Sequence, residues 1–398
     1  MKIVAFVPAK GSSNRIPSKN TVLFNGEPLF VYTVRKLLNC EFIDEVYVDS
    51  ECCEILSIAE NIGAKILVRS PSLSCNKTDG NVLFYNEVSQ VEADVYIQHL
   101  CTSPFIKETT IKKCVDVLYS SSHDSSLLGS KQKNYHWSGN NPTYDINNIP
   151  NSIDLPDDIT EAMGLYVVKS KSAHDLRRRI GNNPKMIFGE PTELIDINTP
   201  YELKLARTIA AGILADEEKK LRIIGRFLSS PILSDVADEL GIDCVLPPEY
   251  KPNINGTKIF GRARPLHIRE AGEKHNELSI YEALQSYRHV VSNDVIVVKN
   301  ERPELAYFGD LNMSLAIRSG AIGAVVAGVT RDNRATSNAG FPVFAKGKYC
   351  KDIKGRGAVE SINQPIIIDD ISIKPSDLIF ADEDGVVVIP RKVEKDFL

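Results

Sequence analysis

The sequence predicts an α/β protein with two domains, the first built on a mostly parallel sheet. Its 398 residues exceed the usual size of one domain, and each half is long enough to form its own core. In the first half, short runs of β-branched and aromatic residues alternate with segments of helical apolar spacing. The second half has a similar alternation, punctuated by glycines. These observations favour two consecutive α/β domains.

The first half begins with a strand, helix, strand, helix pattern. We expect strands at residues 3–7, 45–50 and 66–68, and amphipathic helices at residues 28–38 and 54–62. Such alternation is typical of a doubly wound parallel sheet, which binds ligands beyond the carboxyl ends of its strands. The loops that follow the strands are therefore the places to look for chemistry.

A small-residue loop with three cations follows the first predicted strand. Small residues allow backbone N–H groups to approach an anion, and three cations can neutralise a triphosphate. An ordinary basic loop between strand and helix is the alternative that spacing alone leaves open. The loop residues concerned are Ala9, Lys10, Gly11, Ser12, Arg15, Lys19 and Asn20.

Composition limits the partners and the compartment. A formal net charge of −5 gives no electrostatic footprint for nucleic acid or an anionic membrane, so we expect small anionic ligands held by local cations. The eight cysteines form no Cys-x-x-Cys pair and no zinc spacing, and Met1 is followed directly by a strand. No apolar run is long enough to span a bilayer. We expect a cytoplasmic protein.

The loop at residues 8–20 resembles the N-terminal signature of the CMP-sialic acid and CMP-Kdo synthetases. These cytidylyltransferases transfer CMP from CTP to the anomeric hydroxyl of a 2-keto sugar acid, and the resemblance covers about residues 1–215. It implies a Rossmann-like nucleotidyltransferase fold in which Lys10 and Lys19 are catalytic. It also implies a CTP site formed by Ala9, Lys10, Gly11, Ser12, Arg15, Lys19, Asn20, Arg69 and Thr78, and a sugar side formed by Thr102, Ser103 and Glu161. A surface arginine beside a turn is the alternative for Arg69.

Two departures from that family concern the sugar and the metal. Leu100 stands where sialic acid synthetases have glutamine, and Glu161 lies where they have an arginine and an asparagine, so the sugar has changed. Asp196 and Asn198 resemble the family's paired aspartates, which bind Mg²⁺ with oxygen ligands shared with the substrate. We expect Asp196 to be the main ligand and Asn198 a weaker one; a structural capping role is the alternative for Asp196.

The second half carries a separate group of polar residues at predicted turns. The helix expected at residues 309–319 offers backbone N–H groups to a carboxylate, through Gly309, Leu311 and Asn312. Arg331 can hold the carboxylate and keto oxygen of a 2-keto acid, and Asp332 or Asp310 can organise a divalent cation. Together they would stabilise an enolate, although a purely structural Arg331–Asp332 ion pair is an equal alternative.

Residues 222–398 resemble the RraA-like fold that is shared with the 4-hydroxy-4-methyl-2-oxoglutarate aldolases. The resemblance rests on Asp310 followed after twenty residues by Arg331-Asp332, and on the segments at residues 340–344 and 381–387. It implies that Arg331 binds pyruvate and Asp332 ligates Mg²⁺ or Mn²⁺ in aldol cleavage or oxaloacetate decarboxylation. The ring-shaped trimers of this family, and the dimers of the first, imply a homo-oligomer, for which we expect a trimer or hexamer.

We therefore predict a cytidylyltransferase domain at residues 1–221, including a connecting helix from about 206, and an RraA-like domain at residues 222–398. The combined prediction is a bifunctional enzyme of 2-keto-3-deoxy sugar acid metabolism. Its substrates would be CTP, a 2-keto sugar acid and a pyruvate- or oxaloacetate-like acid. One alternative keeps the transferase and makes the second domain a non-catalytic oligomerisation or partner-binding module. Another pairs an aldolase with a nucleotide-sensing domain that has lost catalysis.

Overall fold

The computed structural model describes residues 1–75, 77–272 and 279–398. The chain divides into two compact units, Met1–Arg207 and Thr208–Leu398. This division falls earlier in the connecting helix than the predicted boundary at 221/222. The reason lies in the later turns of that helix, because Leu221 belongs to the same apolar cluster as Phe260 and Glu217 forms an ion pair with Arg262.

The first unit alternates strands and helices, which confirms the predicted pattern. Its strands are β1 (Ile3–Pro8), β2 (Leu23–Phe24), β3 (Glu27–Pro28), β4 (Glu45–Ser50), β5 (Lys65–Val68), β6 (Val95–His99), β7 (Ser125–Gln132), β8 (Trp137–Ser138), β9 (Asn141–Pro142), β10 (Asp158–Lys169) and β11 (Pro184–Phe188). Its helices are α1 (Leu29–Leu38), α2 (Cys53–Asn61), α3 (Gly80–Val88), α4 (Glu108–Ser120) and α5 (Ser170–Leu176), and α6 (Pro200–Ile224) continues into the second unit.

The main sheet of this unit has the order β11-β7-β10-β6-β1-β4-β5. Strands β5, β4, β1 and β6 are parallel, and β10 is antiparallel to both of its neighbours. The chain moves outward from β1 in one direction through β4 and β5, and then returns to the other side of β1 with β6. A crevice therefore opens between the carboxyl ends of β1 and β6, which is where open α/β sheets bind ligands.

Residues 120–156 are rich in Ser, Asn, Asp and Pro, a composition typical of a loop, yet part of this stretch is a buried strand. Strand β7 occupies Ser125–Gln132, and its first six residues are buried between β10 and β11. The hydroxyl groups of its buried serines form hydrogen bonds within the protein. Ser126 Oγ donates to the Cys114 carbonyl at 2.6 Å, and Ser125 Oγ accepts from the Gly181 N–H at 2.8 Å. A serine-rich strand can thus be buried, which composition alone does not reveal.

The second unit follows the same alternation. Its strands are β12 (Lys251–Pro252), β13 (Ile259–Glu270), β14 (Asp294–Asn300), β15 (Gly323–Thr330), β16 (Val343–Lys348), β17 (Gly357–Ile362), β18 (Ile366–Ile368), β19 (Ile371–Ile373), β20 (Leu378–Ala381) and β21 (Val386–Ile389). Its helices after α6 are α7 (Ser230–Leu240), α8 (Asp310–Ser319), α9 (Asn333–Asn338) and α10 (Glu394–Phe397), with a 3₁₀ helix at Ser279–His289.

The sheet of the second unit has the order β12-β16-β15-β14-β13-β20-β21, and β17 pairs with β13 beside β20. Strands β13, β14, β15 and β16 are parallel. Pro265 is accommodated in the middle of β13 because it falls between the segment that pairs with β20 and the segment that pairs with β17. The carboxyl ends of β14 and β15 are adjacent, and the loops that carry the predicted site of this unit leave from them.

Both sheets are covered by helices, and each unit has its own core. One cluster in the first unit includes Val7, Val48 and Ile97 from three neighbouring strands. A corresponding cluster in the second unit includes Ile296, Val298 and Val326. Burial of such apolar area is the main stabilising contribution to each unit. None of the helices within the described ranges combines the length and apolar content that crossing a membrane requires.

Candidate active sites

The crevice of the first unit brings together segments that are far apart in sequence. The N–H of Ile197 donates to the carbonyl of Thr102 at 2.8 Å, so the segment with Asp196 is tied to the turn after β6. The Nζ atom of Lys19, from the loop after β1, donates to the carbonyl of Ile197 at 3.1 Å. The predicted catalytic lysine, metal segment and sugar-side turn therefore meet at one place.

Asn198 connects the lysine to the carboxylate. Its Oδ1 accepts a hydrogen bond from Lys19 Nζ at 3.3 Å, and its Nδ2 donates to Asp196 Oδ2. The other carboxylate oxygen, Asp196 Oδ1, is buried and has no hydrogen-bond partner among the described residues. A buried carboxylate oxygen without a partner is costly in a folded protein, and a cation is one group that satisfies it.

Lys19 lies in a partly desolvated, strongly charged environment. Burial lowers its pKa, and the neighbouring cations Arg15 and Lys10 lower it further, while Cys101 and Asp196 oppose the shift. Lys19 is thus repelled by both of the other predicted cations, Arg15 and Lys10. Such mutual repulsion is relieved by an anion of high charge, which is the property expected of a triphosphate site.

The glycine of the phosphate loop is fixed by a carboxylate that sequence analysis missed. The N–H of Gly11 donates to Glu51 Oε1 at 2.8 Å, and Ser74 Oγ donates to Glu51 Oε2 at 2.8 Å. A Cβ atom at Gly11 would lie 2.8 Å from the Cβ of Cys52, so the close approach requires glycine. In this structure the Gly11 amide is therefore bound to protein, whereas the prediction offered it to CTP.

Asn20 and Ala9 hold the loop from inside. Asn20 is 6% exposed; its Nδ2 donates to the Lys10 carbonyl at 2.8 Å, and its Oδ1 accepts from Cys101 Sγ at 3.2 Å. Ala9 is fully buried, and its N–H donates to the Asp49 carbonyl at 2.9 Å. Ser12 is exposed. Asn20 thus shapes the loop that carries the cations, and no motif in the sequence indicated this role.

Arg69 is a buried residue and not the surface arginine of the alternative interpretation. It is 4% exposed, and its Nε and Nη2 atoms lie 3.0 and 2.9 Å from Asp49 Oδ2. Burial raises the pKa of the adjacent Glu87 well above its usual value, and the charge of Asp49 raises it further. Gln98 Nε2 donates to Glu87 Oε2 at 2.7 Å. This internal network supports the ends of β4 and β5 beneath the loops.

The sugar-side residues lie along β10 and the turn after β6. Gly164 is required there, because a Cβ atom would lie 2.4 Å from Ser103 Oγ. Glu161 accepts a hydrogen bond from the hydroxyl of buried Tyr166, and the guanidinium of Arg179 lies 4.0 Å from the centre of the Tyr166 ring. Arg179 is a cation near this face that sequence analysis did not identify.

Thr78 lies two residues before the first residue of helix α3, Gly80. Its hydroxyl lies 3.3 Å from Cys75 Sγ, and Asp79 caps the helix by accepting from the N–H groups of Asn81 and Val82. A Cβ atom at Gly80 would lie 2.6 Å from Arg179 Nη1, so the start of α3 contacts the cation of the sugar side.

The predicted site of the second unit is also brought together. The N–H of Arg331 donates to the Phe308 carbonyl at 3.0 Å, and the Thr330 hydroxyl donates to the same carbonyl at 2.8 Å. Gly309 and Asp310 follow Phe308 and begin helix α8. The end of β15 is thereby held against the start of α8.

Asp332 reaches the first turn of α8. Its Oδ2 accepts from the Asp310 N–H at 3.3 Å and lies 3.5 Å from Arg331 Nε. A Cβ atom at Gly309 would lie only 2.4 Å from the same oxygen, so glycine makes room for the carboxylate. Asp332 also has a φ of 54°, a left-handed backbone conformation that is uncommon for a residue with a side chain. Backbone conformations of this kind are concentrated at functional sites.

Asp352 is part of this cluster and was not predicted. Its Oδ2 lies 2.8 Å from Arg331 Nη1. The side chains of Arg331, Asp332 and Asp352 are 36%, 38% and 40% exposed, so solvent and small ligands can reach the group. No sequence pattern indicated Asp352, because it lies on a loop whose approach to Arg331 depends on the fold.

Two backbone N–H groups at the start of α8, those of Asp310 and Leu311, already have partners. The Leu311 N–H donates to Asp310 Oδ1 at 2.7 Å, while the Leu311 side chain is 53% exposed. Asn312 is 8% exposed; its Nδ2 donates to the Tyr307 carbonyl at 2.7 Å, and its Oδ1 accepts from the Tyr287 hydroxyl at 3.0 Å. A substrate carboxylate at the start of α8 would have to displace Asp332 Oδ2 from the Asp310 N–H and Asp310 Oδ1 from the Leu311 N–H.

The predicted metal ligands occur as pairs. Across residues 1–75, 77–272 and 279–398, no group of three or more His, Cys, Asp or Glu side chains is arranged to hold a metal ion. Mg²⁺ is often held by one or two carboxylates plus substrate oxygens and water, so a pair is sufficient. Asp196 Oδ1 has no partner among the described residues, and this fits such a cation. The space left by the missing side chain of Gly309 admits the Asp332 carboxylate, which fits a second one.

Each half of the chain matches one protein family. Residues 4–179 match the sequence model of the family described as Cytidylyltransferase, and residues 230–388 match that of the family described as Aldolase/RraA. The first segment contains the loops after β1 and β6 but ends before Asp196 and Asn198, and the second contains the Asp310–Arg331–Asp332 cluster.

Relatives of known name divide in the same way. The pseudaminic acid cytidylyltransferase of Campylobacter jejuni subsp. jejuni serotype O:23/36 is 27% identical over 225 residues, which cover 52% of this chain and 96% of that protein. A Halalkalibacterium halodurans protein, provisionally named as a 4-hydroxy-4-methyl-2-oxoglutarate aldolase, is 32% identical over 174 residues, 44% of this chain and 78% of that protein. Protein DlpA of Legionella pneumophila is 32% identical over 164 residues, 41% of this chain; the match spans 26% of DlpA.

Proposed function

The chain belongs to the Aldolase/RraA family in its second half and matches the Cytidylyltransferase family in its first, and from this premise we propose a bifunctional enzyme. The first unit transfers CMP from CTP to a 2-keto sugar acid of the ulosonic type. The second unit carries out metal-dependent pyruvate-type aldolase or decarboxylase chemistry. The observation that carries the proposal is the meeting of Lys19, Asn198 and Asp196 in the crevice between β1 and β6.

The transfer replaces one bond to phosphorus. The anomeric hydroxyl oxygen of the acid gives up its proton to solvent and attacks the α-phosphorus of CTP, the bond from that phosphorus to the α,β-bridging oxygen breaks, and pyrophosphate leaves. Lys10, Arg15 and Lys19 would stabilise the charge that grows on the leaving group. Because Lys19 Nζ is already held by the Ile197 carbonyl and Asn198, little reorganisation is needed for it to act.

The cation proposed for this unit is Mg²⁺ or Mn²⁺, with Asp196 as its main protein ligand. Bound there, it would supply positive charge that neutralises the phosphates and orients them. Asn198 offers only a neutral oxygen, and in this structure that oxygen accepts from Lys19. We therefore assign Asn198 to linking the lysine with Asp196, and only secondarily to the metal.

The acceptor is proposed to be a nine- or eight-carbon ulosonic acid. The pseudaminic acid cytidylyltransferase named above supports this substrate class, but Leu100 and Glu161 separate this chain from the sialic acid synthetases. Glu161, Tyr166 and Arg179 place a carboxylate, a buried aromatic hydroxyl and a cation beside Ser103 and Gly164. These groups are suited to hydrogen-bonding several substituents of a sugar acid.

In the second unit, Arg331 would hold the carboxylate of a pyruvoyl group. The bond between C3 and C4 of the acid then breaks, which releases CO₂ from oxaloacetate or, once the 4-hydroxyl has lost its proton, a carbonyl compound from a 4-hydroxy-2-keto acid. The electron pair remains as the enolate of pyruvate until C3 takes up a proton. Mg²⁺ or Mn²⁺ at Asp332 and Asp310 would supply positive charge next to the enolate oxygen. The left-handed backbone of Asp332 keeps its carboxylate at the start of α8, beside Arg331.

A second candidate for this unit is a non-catalytic oligomerisation or partner-binding module. The observation that favours it is that Arg331 is paired with both Asp332 and Asp352, as in a structural ion-pair cluster. A pyruvate assay on the full chain separates the two candidates. Oxaloacetate and 4-hydroxy-2-keto acids are supplied with Mg²⁺ or Mn²⁺, pyruvate is followed by coupled NADH oxidation, and the assay is repeated with chelator. Pyruvate formation that stops with chelator supports the aldolase; a folded chain that forms none supports the module.

The transferase is tested by pyrophosphate release from CTP against a panel of 2-keto sugar acids. We expect release with one acid class, and loss of release in Lys19→Ala. Lys171→Ala is the matched control, because its side chain is 86% exposed and pairs with Asp175 on the surface of α5. Equal release in Lys19→Ala and Lys171→Ala would remove the proposed role of Lys19.

A further inference from the structure

We propose that Asp352 is a positioning residue for the pyruvoyl site of the second unit. It fixes the guanidinium of Arg331 from one side, so that the remaining edge of the guanidinium is held ready for the carboxylate of a 2-keto acid. This inference rests on the proposed function of the second unit and deepens it.

The carboxylate of Asp352 is held by a backbone hydrogen bond in addition to its contact with Arg331. Its Oδ1 accepts from the Lys354 N–H at 2.9 Å, which leaves Oδ2 directed at Arg331 Nη1, 2.8 Å away. The backbone on both sides is bonded to Ala306: the Ala306 N–H donates to the Lys351 carbonyl at 2.9 Å, and the Ile353 N–H donates to the Ala306 carbonyl at 3.2 Å. Asp352 therefore has a defined position and orientation.

Arg331 is held at separate points along its length. Its backbone N–H donates to the Phe308 carbonyl, its Nε lies 3.5 Å from Asp332 Oδ2, and its Nη1 lies 2.8 Å from Asp352 Oδ2. A guanidinium is planar, so contacts at Nε and Nη1 together fix its plane. Nη1 carries two N–H groups, so one can point to Asp352 while the other, together with an N–H of Nη2, binds a substrate carboxylate bidentately.

The Arg331–Asp352 ion pair is at a position where it contributes little to the stability of the fold. Both side chains are more than a third exposed, and ion pairs at such positions contribute little to folding free energy. A preorganised arginine, in contrast, binds a carboxylate with a smaller loss of side-chain entropy. The loss of Asp352 should therefore affect ligand binding much more than thermal stability.

The test uses Asp352→Asn in the full chain, because asparagine keeps the size and can still accept from the Lys354 N–H while losing the charge. Asp370→Asn is the matched control: Asp370 is exposed in the turn between β18 and β19 and already has a left-handed φ of 69°, which asparagine tolerates. The measurements are oxalate affinity by calorimetry in the presence of Mg²⁺, oxaloacetate KM and kcat, and Tm.

We expect Asp352→Asn to weaken oxalate binding and raise KM by about tenfold, with a smaller change in kcat and little change in Tm. Arg331→Gln and the double variant complete a cycle. If Asp352 acts through Arg331, its substitution has little further effect once Arg331 is glutamine. Unchanged or tighter oxalate binding in Asp352→Asn, or additive effects in the cycle, would overturn the inference while leaving the aldolase in place. A wild-type chain that neither binds oxalate nor forms pyruvate would overturn both.

Discussion

The Nζ atom of Lys19 lies 3.3 Å from Oδ1 of Asn198, although 179 positions separate the two residues in the sequence. The same amide donates from Nδ2 to Asp196 Oδ2, so one neutral side chain holds a cation and a carboxylate on its two ends. An aspartate at this position would accept from Lys19 but could not donate to Asp196. Asn198 thus couples the predicted catalytic lysine to the predicted metal ligand.

Asn198→Asp should lower the Mg²⁺ concentration needed for half-maximal CMP transfer by severalfold. A second carboxylate beside Asp196 adds charge for the cation, and without the cation the two carboxylates repel each other. We therefore also expect a lower Tm in chelator and a larger rise in Tm on adding Mg²⁺. The measurements are a metal titration of transfer rate and a thermal melt. An unchanged metal requirement would mean that this segment is not the metal site.

CTP should protect the chain against thermal unfolding more than ATP, GTP or UTP does, because a ligand that binds only the folded state stabilises it by mass action. At a concentration a hundredfold above Kd the stabilisation is about 2.7 kcal/mol. The measurement is Tm against concentration for each nucleotide, with Lys19→Ala beside Lys171→Ala. Equal shifts with all four nucleotides would remove the cytidylyl assignment.

The local pattern of the sequence was enough to predict the doubly wound order around β1. The strands at 3–7, 45–50 and 66–68 correspond to β1, β4 and β5, because buried parallel strands leave continuous apolar runs. Strand β7 was missed because its buried residues include serines that are satisfied by partners distant in sequence. Periodicity reports which faces are apolar, but it does not report which polar groups find partners.

In the two candidate active sites as well, residues that belong to motifs were predicted, whereas residues whose partners depend on the fold were not. Lys19, Asp196, Arg331 and Asp332 were predicted from motifs, and the fold places them in two clusters. Glu51 and Asp352 were not predicted, because a single carboxylate on a loop carries no signal until its neighbour is known. Asn20 was expected to face CTP, yet both ends of its amide bond to protein groups that hold the loop. Residues that orient the site are therefore the hardest to read from one sequence.

Glu87→Gln should stabilise the first unit, and increasingly so as pH rises. Burial raises the pKa of Glu87 well above 4.5, and Asp49 raises it further, so the folded chain keeps a proton that the unfolded chain releases above about pH 4.5. Since the unfolded state then binds fewer protons, stability falls with rising pH until the folded pKa is passed. Glutamine has no such proton to lose, and it can still donate to Asp49.

The measurement is the free energy of unfolding in urea at pH 5, 7 and 9 for wild type, Glu87→Gln and the exposed control Glu92→Gln. The gap between Glu87→Gln and wild type should widen from pH 5 to pH 9, while Glu92→Gln stays parallel to wild type. A gap that is constant or narrows with pH would show that Glu87 is ionised in the folded protein.

Gly309→Ala should abolish pyruvate formation while leaving the chain folded. The new Cβ would lie 2.4 Å from Asp332 Oδ2, so the carboxylate must move away from Asp310 and Arg331. Loss of a preorganised charge beside an enolate typically costs on the order of a hundredfold or more in rate. The control is Gly347→Ala, whose Cβ would have its nearest neighbour at 3.6 Å. Equal kcat in the two variants would mean that Asp332 is not part of a catalytic site.

Cytidylyl transfer by the first unit is tested by detecting the transferred group itself. Wild type and Lys19→Ala are incubated with CTP, Mg²⁺ and a panel of 2-keto sugar acids, and the products are followed by ³¹P NMR and mass spectrometry. We predict that wild type converts one acid to its CMP ester with an equal amount of pyrophosphate, and that Lys19→Ala forms neither. If no acid in the panel yields a CMP ester, although CTP stabilises the wild-type protein, the claim that the first unit is a cytidylyltransferase is contradicted.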